Sequence, residues 1–436
     1  MALGYVGRTV LRSLLASSVA VLALAGASIA SAAPPTGFTT PQTLGPGLQV
    51  SGAMVAADAA GGQPAAVAFA DRSGHVWAAR VRADGSLGSP LPAGSGQADV
   101  RDVQVAVTDR GELVVVWAAL VNRSNGGSAV RYAVAAPGRS FSGARTLAAV
   151  GSNTGATPRM AALRGGTVAV IFRDTRPART AGVLRYARRA PNGSFGTARS
   201  LGRDGVSPEI QASPGGGALL AWGQGPLTRR ALVIASAQRG APLPGPATSV
   251  AGSVRSITLT ASADGTAWVT WTRRDSRGTT GFARRTRSSN RSAVGPIQSL
   301  ETVAYGVPRV ALGASGAVLA TWNARGPGAV ADVGLASAQG VGAGLGAPSV
   351  FDAGGFSQTS PTPAWLRTTP LVLFTRQIAN TSGVQAQAVA ADPATGDATL
   401  LADAGSNATP AVAHSGNSLV VAWAGQAGGI AVSVDR

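Results

Sequence analysis

Short apolar runs punctuate this chain, and eight of them end in an aromatic side chain: AVAF at Phe69, VVVW at Trp117, AVIF at Phe172, LLAW at Trp222, WVTW at Trp271, LATW at Trp322, LVLF at Phe374 and VVAW at Trp423. The aromatics follow one another at intervals of 48, 55, 50, 49, 51, 52 and 49 residues. A steady period in that range marks a repeat architecture, one supersecondary unit copied along the chain. Glycine stands six positions before the aromatic in five units, as Gly111, Gly166, Gly216, Gly265 and Gly316. Proline stands fourteen before it at Pro158, Pro208 and Pro308, and thirteen before it at Pro361 and Pro410.

Each unit reads as four short strands. The first follows the proline, which suits a strand's first position because no ladder hydrogen bond is lost there. The glycine closes a tight hairpin, helped by pairs such as Asp264-Gly265. The second strand is the apolar run; lacking alternation, it is expected to be buried on both faces. The third carries Arg131-Tyr132-Ala133 in one unit and Arg185-Tyr186-Ala187 in another. The fourth follows a Gly/Pro turn and reads from Phe141 to Leu147 and from Phe195 to Leu201.

Four antiparallel strands repeated radially make an all-β propeller, a plan that leaves only short, protected edges. The pattern predicts an eight-bladed β-propeller, with seven blades the alternative if the divergent first unit (residues 48–93) pairs differently. The last unit, from Pro410 to Asp435, has room for only three strands. Phe38 and Leu44 repeat the spacing of the fourth strands. The N-terminal segment is therefore expected to complete the last blade. The recurring rings would pack between blades, each burial contributing about 1.5–3 kcal/mol, so they read as core and not as ligand platforms.

The 436 residues carry a formal net charge of +18, two histidines and no cysteine, which excludes disulfides, thiol nucleophiles and iron–sulfur clusters. His75 and His414 alone cannot build a multi-histidine metal site, and both read as surface residues. No D-x-D-x-D-G run suggests a calcium loop, so neither a metal nor a cofactor is expected. Every basic residue is arginine. Residues 1–32 read as a signal peptide: Arg8 and Arg12, an apolar stretch from Leu14 to Ile29, then the small-residue cleavage site Ala30-Ser31-Ala32. Residues 33–436 would form a single, monomeric propeller domain, secreted to the extracellular space or cell envelope. No later apolar run is long enough to span a membrane. Export argues against a specific nucleic-acid partner, although the charge attracts polyanions at low salt.

In repeat length and blade pattern, the chain resembles secreted bacterial β-propellers and is distantly sialidase-like in architecture. Ser262-Ala263-Asp264-Gly265-Thr266-Ala267-Trp268 is similar to the sialidase Asp-box S-x-D-x-G-x-x-W, with one residue fewer between Asp and Gly. Phe172-Arg173-Asp174 is a faint counterpart of the Phe-Arg-Ile-Pro signature, and the Trp-Asp of WD40 blades is absent. The resemblance implies a fold; no catalytic residue is carried over from it.

Ligand-binding loops of a propeller cluster where second-to-third-strand turns and inter-blade links meet. Here those loops are rich in arginine. Candidate ligand-binding residues are Arg72, Arg123, Arg173, Asp174, Arg273, Asp275, Arg309, Arg325 and Arg376, with Arg229-Arg230 and the link residues Arg101 and Arg255 beside them. Guanidinium groups bind carboxylate and phosphate through a planar fork. The expected function is a non-enzymatic binding or scaffold propeller engaging an anionic polysaccharide or a protein partner. A sialidase-like glycoside hydrolase is the alternative. Such an enzyme needs two carboxylates, or a tyrosine and a carboxylate, across a pocket. Glu209, following Pro208, is placed to face the channel, and Glu301 and Tyr305 share a link with Arg309.

Overall fold

The structure is a computed structural model. It describes residues 38–434 apart from 46–49, 59–64, 83, 96–97, 123–126, 177–181, 227, 242–247, 251, 263, 277, 288–294, 314–315, 326–330, 339–343, 352–357, 381–382, 395–397, 405–408, 416–417 and 426–428. The expected signal peptide lies outside the described residues.

Strand β1 (Gln42–Leu44) comes first in the chain but belongs to the last blade. Blade 1 is β2 (Val50–Asp58), β3 (Ala66–Asp71), β4 (Val76–Arg80) and β5 (Leu91–Gly94). Blade 2 is β6 (Ala98–Val107), β7 (Leu113–Asn122), β8 (Gly127–Ala135) and β9 (Arg145–Val150). A single helical turn, α1 (Asn153–Ala156), leads to blade 3: β10 (Arg159–Leu163), β11 (Thr167–Asp174), β12 (Val183–Arg189) and β13 (Arg199–Arg203). Blade 4 is β14 (Gly205–Ala212), β15 (Ala218–Gln224), β16 (Ala231–Ala237) and β17 (Thr248–Val250). Blade 5 is β18 (Val254–Ala261), β19 (Thr266–Asp275), β20 (Gly278–Arg287) and the first part of β21 (Ile297–Leu312). The rest of β21 opens blade 6, followed by β22 (Val318–Arg325), β23 (Ala331–Ala338) and β24 (Ser349–Phe351). Blade 7 is β25 (Gln358–Leu366), β26 (Thr369–Asn380), β27 (Gly383–Ala391) and β28 (Ala398–Ala404). Blade 8 is β29 (Ala411–Ser415), β30 (Ser418–Ala424), β31 (Ile430–Val434) and β1. Eight four-stranded antiparallel blades are thus present.

First strands contact one another in sequence, from β2 through β6, β10, β14, β18, β21 and β25 to β29, and β29 returns to β2. They form the wall of a central channel. The hairpin glycines Gly111, Gly166, Gly216, Gly265 and Gly316 all have positive φ, between 74° and 87°. Other residues meet a Cβ clash in that region, which is why the sequence keeps glycine there.

Burial follows the second strands. Every residue of β3 is buried, as are all but the last residue of β15 and all but the first of β30. The core divides into clusters at the blade interfaces. Trp117 packs among residues of blades 1 and 2, Phe172 with blade 2, and Trp222 with blade 3. Trp271 packs with blade 4, Trp322 with blade 5, Phe374 with blade 6 and Trp423 with blade 7. Phe69 closes the circle against blade 8, in a cluster that includes Leu44. Each ring is therefore a wedge between its own blade and the preceding one.

Closure of the ring is hydrogen-bonded as well as apolar. Strand β1 pairs antiparallel with β31, Leu44 opposite Ile430. The Thr39 N–H donates to the Val434 carbonyl at 2.9 Å, and the Ser433 hydroxyl donates to the Thr39 carbonyl at 2.7 Å. The Gln42 side-chain amide clips blade 8 to blade 1. It donates to the Gly85 carbonyl at 3.2 Å and accepts from the Leu87 N–H at 3.1 Å. Gln298 makes the equivalent clip from blade 5 to Leu345 of blade 6.

One local expectation is corrected. The fourth strands do not start at Phe141 and Phe195 but four residues later, at Arg145 and Arg199. The phenylalanine belongs to the turn before the strand; Phe195 meets Tyr132 of blade 2 edge-on, with centroids 4.9 Å apart. Phe38 stands in the same relation to β1 and is buried. Among the described residues no helix is long and apolar enough to cross a membrane.

Candidate functional site

Turns after second strands, together with the links between blades, lie at one end of the channel (the loop face). Turns after first and third strands lie at the other (the hairpin face). Between them, the strand register defines a ring of equivalent positions. These are the first-strand residues opposite the residue that precedes each core aromatic. In blade order they are Ala56, Gln104, Arg159, Glu209, Thr258, Arg309, Thr362 and Ala411.

This girdle is the chemically richest level of the channel. Arg159 Nε donates to Glu209 Oε1 at 3.2 Å, and its Nη1 approaches Asp102 Oδ1 at 3.5 Å, so one guanidinium ties blades 2, 3 and 4. The side chains keep 29% exposure for Arg159 and 17% for Glu209 although protein surrounds them, because they face the channel. Arg309 Nη1 donates to Thr362 Oγ1 at 2.6 Å. Further round, the Thr258 hydroxyl donates to the Pro308 carbonyl at 2.8 Å. Side chains thus reach from blade to blade around the ring.

Burial dominates the electrostatics. It lifts the Glu209 carboxyl above the ordinary carboxylate range, although the charge and hydrogen bond of Arg159 and the charge of Arg309 pull it back; nearby Asp102 adds to the lift. Burial also lowers Arg309, with Glu209 opposing and Arg159 reinforcing. For Arg159 the desolvation cost is more than offset by Glu209 and Asp102, which hold its proton more tightly. Arg309 holds the same register position on blade 6 as Arg159 and Glu209 hold on blades 3 and 4, so it belongs to the same channel level, and their charges act on it.

A second cluster lies on the loop face. Arg173 at the end of β11 and Arg255 in β18, from the blades on either side, lie near enough to Arg230, just before β16, for their charges to act on it. Burial lowers Arg230, and the like charges of Arg173 and Arg255 lower it further, with Asp204 opposing. Arg230 is buried, Arg173 half-buried and also lowered by burial, and Arg255 exposed. The Arg230 carbonyl accepts from Val254 N–H at 3.1 Å, and the Ser207 hydroxyl donates to the Arg255 carbonyl at 3.1 Å, so backbone ties hold the cluster in place.

The other sequence-level candidates scatter around the ring. Asp174 is buried and occupied. Burial alone would raise its carboxyl, but hydrogen bonds from Arg176 (2.7 Å to Nη2) and Arg185 (3.1 Å) hold it below its usual range. Arg376 is half-buried and donates to Gln387 Oε1 at 3.2 Å. Arg72 and Arg273 are exposed. Arg123 and the side chains of Asp275, Arg325, Glu301, Tyr305 and His414 lie outside the described residues. The Asp71 carboxylate accepts from the His75 N–H at 3.0 Å and from Trp77 Nε1 at 3.1 Å, bracing the turn between β3 and β4. Of the residues named from the sequence, then, Arg309 enters the girdle, and Arg173 enters the loop-face cluster with Arg230 and Arg255. Arg159 and Asp102 had not been singled out, although Arg159 follows Pro158 as Glu209 follows Pro208 and Arg309 follows Pro308.

The hairpin-face end of the channel also holds a cavity of about 930 Å3, lined by polar groups that include Gln104, Asp109, Arg164, Gln211 and Arg239. Among the described residues no group of three His, Asp or Glu gathers as a metal site.

The fold is shared. The chain is similar to the PL25 ulvan lyase, a polysaccharide lyase, with a TM-score of 0.51 at 10% identity, covering 91% of this chain and 94% of that one. Polysaccharide lyase Uly1 (TM-score 0.48, 12% identity, 79% of this chain and 92% of that one) and a Hadza microbial sialidase (TM-score 0.39, 11% identity, 72% and 73%) are also similar. No protein-family model and no curated protein matches the sequence.

Proposed function

We propose that this propeller is a non-enzymatic binding protein that holds an anionic glycan on its loop face, across blades 3, 4 and 5. The observation that carries this reading is the convergence of Arg173, Arg230 and Arg255. A buried guanidinium, Arg230, facing the like charges of Arg173 and Arg255 is costly unless an anion offsets it. Among the described residues, neither Arg230 nor Arg255 is in an ion pair. Forked charge-assisted hydrogen bonds to carboxylates or sulfates would relieve both the desolvation and the repulsion. A glycan is chosen among polyanions because the fold neighbour is named as a polysaccharide lyase. The test is retention of the mature protein on acidic polysaccharides across a salt series. Binding that survives about 0.3 M salt and is lost in Arg230→Gln supports the site; loss of all wild-type binding by about 0.15 M reduces it to bulk charge.

One observation favours a second reading, glycoside hydrolysis: Glu209 is a channel carboxyl with a raised pKa, the property a general acid needs. Turnover of a panel of fluorogenic sialosides and neutral glycosides, abolished in Glu209→Gln, would establish it.

A further inference from the structure

We propose that Arg309 is the receiving group of a second, separate socket inside the channel, one that takes a single sugar carboxylate. The socket rests on the glycan-binding reading only for the sugar; the position and the groups are its own.

Three observations carry it. First, Arg309 is incompletely used. Its one hydrogen bond among the described residues is to Thr362, and it makes no ion pair, although protein surrounds it. Guanidinium has five donors, so most of its fork remains available to the channel. Secondly, the neighbouring charges set the ligand's charge. Arg159 and Arg309 are matched by Glu209 and Asp102, a neutral girdle in which Glu209 already answers Arg159. One planar monoanion can lie on Arg309, whereas a phosphate or sulfate dianion would add a second charge beside Glu209. Thirdly, the other positions at this level whose side chains are described are Gln104, Thr258, Thr362 and Ala411. Amide and hydroxyl groups beside a small residue suit a hydroxylated acid and offer no apolar wall for a fatty or aromatic one.

Glu209 competes with such a ligand for positive charge. The charged groups facing it are Arg159 from β10, Arg309 from β21 and Asp102 from β6; β15 pairs Ala221 with it, and the next blade places Thr258 at its level. Protonating Glu209 leaves both arginines to the ligand, so affinity rises on acidification.

The probe is glucuronate, titrated calorimetrically into the mature protein at pH 5 and pH 7, with glucose as the neutral control and an oligosaccharide ending in glucuronate to separate a free sugar acid from a chain end. Expected are saturable glucuronate binding tighter at pH 5, no response to glucose, and at least tenfold weaker binding in Arg309→Gln. In Glu209→Gln, binding becomes tight at both pH values. Arg230→Gln, which removes the loop-face polymer site, leaves glucuronate binding intact. Should Arg309→Gln not fold, Arg309→Lys keeps the charge and removes the fork, and binding at least fivefold weaker is expected. Glucuronate affinity unchanged in Arg309→Lys or Arg309→Gln, or a response equal to that of glucose, overturns the socket. Polymer binding lost in Arg230→Gln with glucuronate never bound would overturn the socket and leave the loop-face reading standing.

Discussion

The two ends of the channel use the same arginine-only cation supply in opposite ways. On the hairpin face, charges are consumed locally. Glu112 at the start of blade 2's second hairpin arm accepts both terminal nitrogens of Arg189 from blade 3, at 2.8 and 2.9 Å, and both residues are buried. Asp109 accepts from the Gly165 N–H at 2.6 Å, and Asp264 accepts from Thr266 within its own turn. On the loop face, Asp174 takes Arg176 and Arg185, but Arg230 is left facing the like charges of Arg173 and Arg255, with Asp204 as the nearby counter-charge. The difference teaches that net charge says little about where a binding face lies; what matters is which turns bring their own carboxylates.

The largest effect that sharpens this contrast is expected from Glu112→Gln. Removing one partner of a buried pair leaves Arg189 uncompensated, so stability should fall by about 3–5 kcal/mol, read by chemical denaturation. By contrast, Arg230→Gln on the loop face should leave stability unchanged or slightly raised, because a buried like charge is removed. Its polyanion affinity should fall by roughly tenfold, about 1.4 kcal/mol, in a salt-controlled titration. An equal loss of stability in both variants would erase the distinction between the two ends.

Glu209 lies between them and gives a pH signature. Its carboxyl binds a proton more tightly folded than unfolded. Stability should therefore decline as pH rises from the ordinary carboxylate range through the raised folded value, by at most about 1.4 kcal/mol per pH unit. Melting curves of the wild type minus those of Glu209→Gln isolate that slope, and parallel curves would refute it. The smallest effect is expected at the exposed Asp264 turn. There Asp264→Asn should cost about 0.5 kcal/mol, since only turn hydrogen bonds change.

The architecture was legible because burying a ring at every blade interface imposes a strict period, and the Phe38–Leu44 spacing betrayed the displaced strand. Strand starts were less legible: Phe195 resembles a first strand residue by type, yet its ring is claimed by Tyr132 across the interface. The site was half legible. Glu209 and Arg309 drew notice by position, but Arg159 did not, because its importance comes from Asp102 and Glu209 in flanking blades, which no local pattern records. Arg173 and Asp174 are neighbours in sequence with different fates, since Arg176 and Arg185 claim the acid alone.

The Gln42 clip and the β1–β31 pairing have a consequence for how the protein is made. A ribosome delivers β1 first and its partner last, nearly four hundred residues apart. Seven blades can form in order during synthesis, but the eighth waits until β31 has been made. Until then Leu44 and Phe69 have no complete neighbour, and the nascent product is an open arc with an apolar seam that a chaperone could recognise.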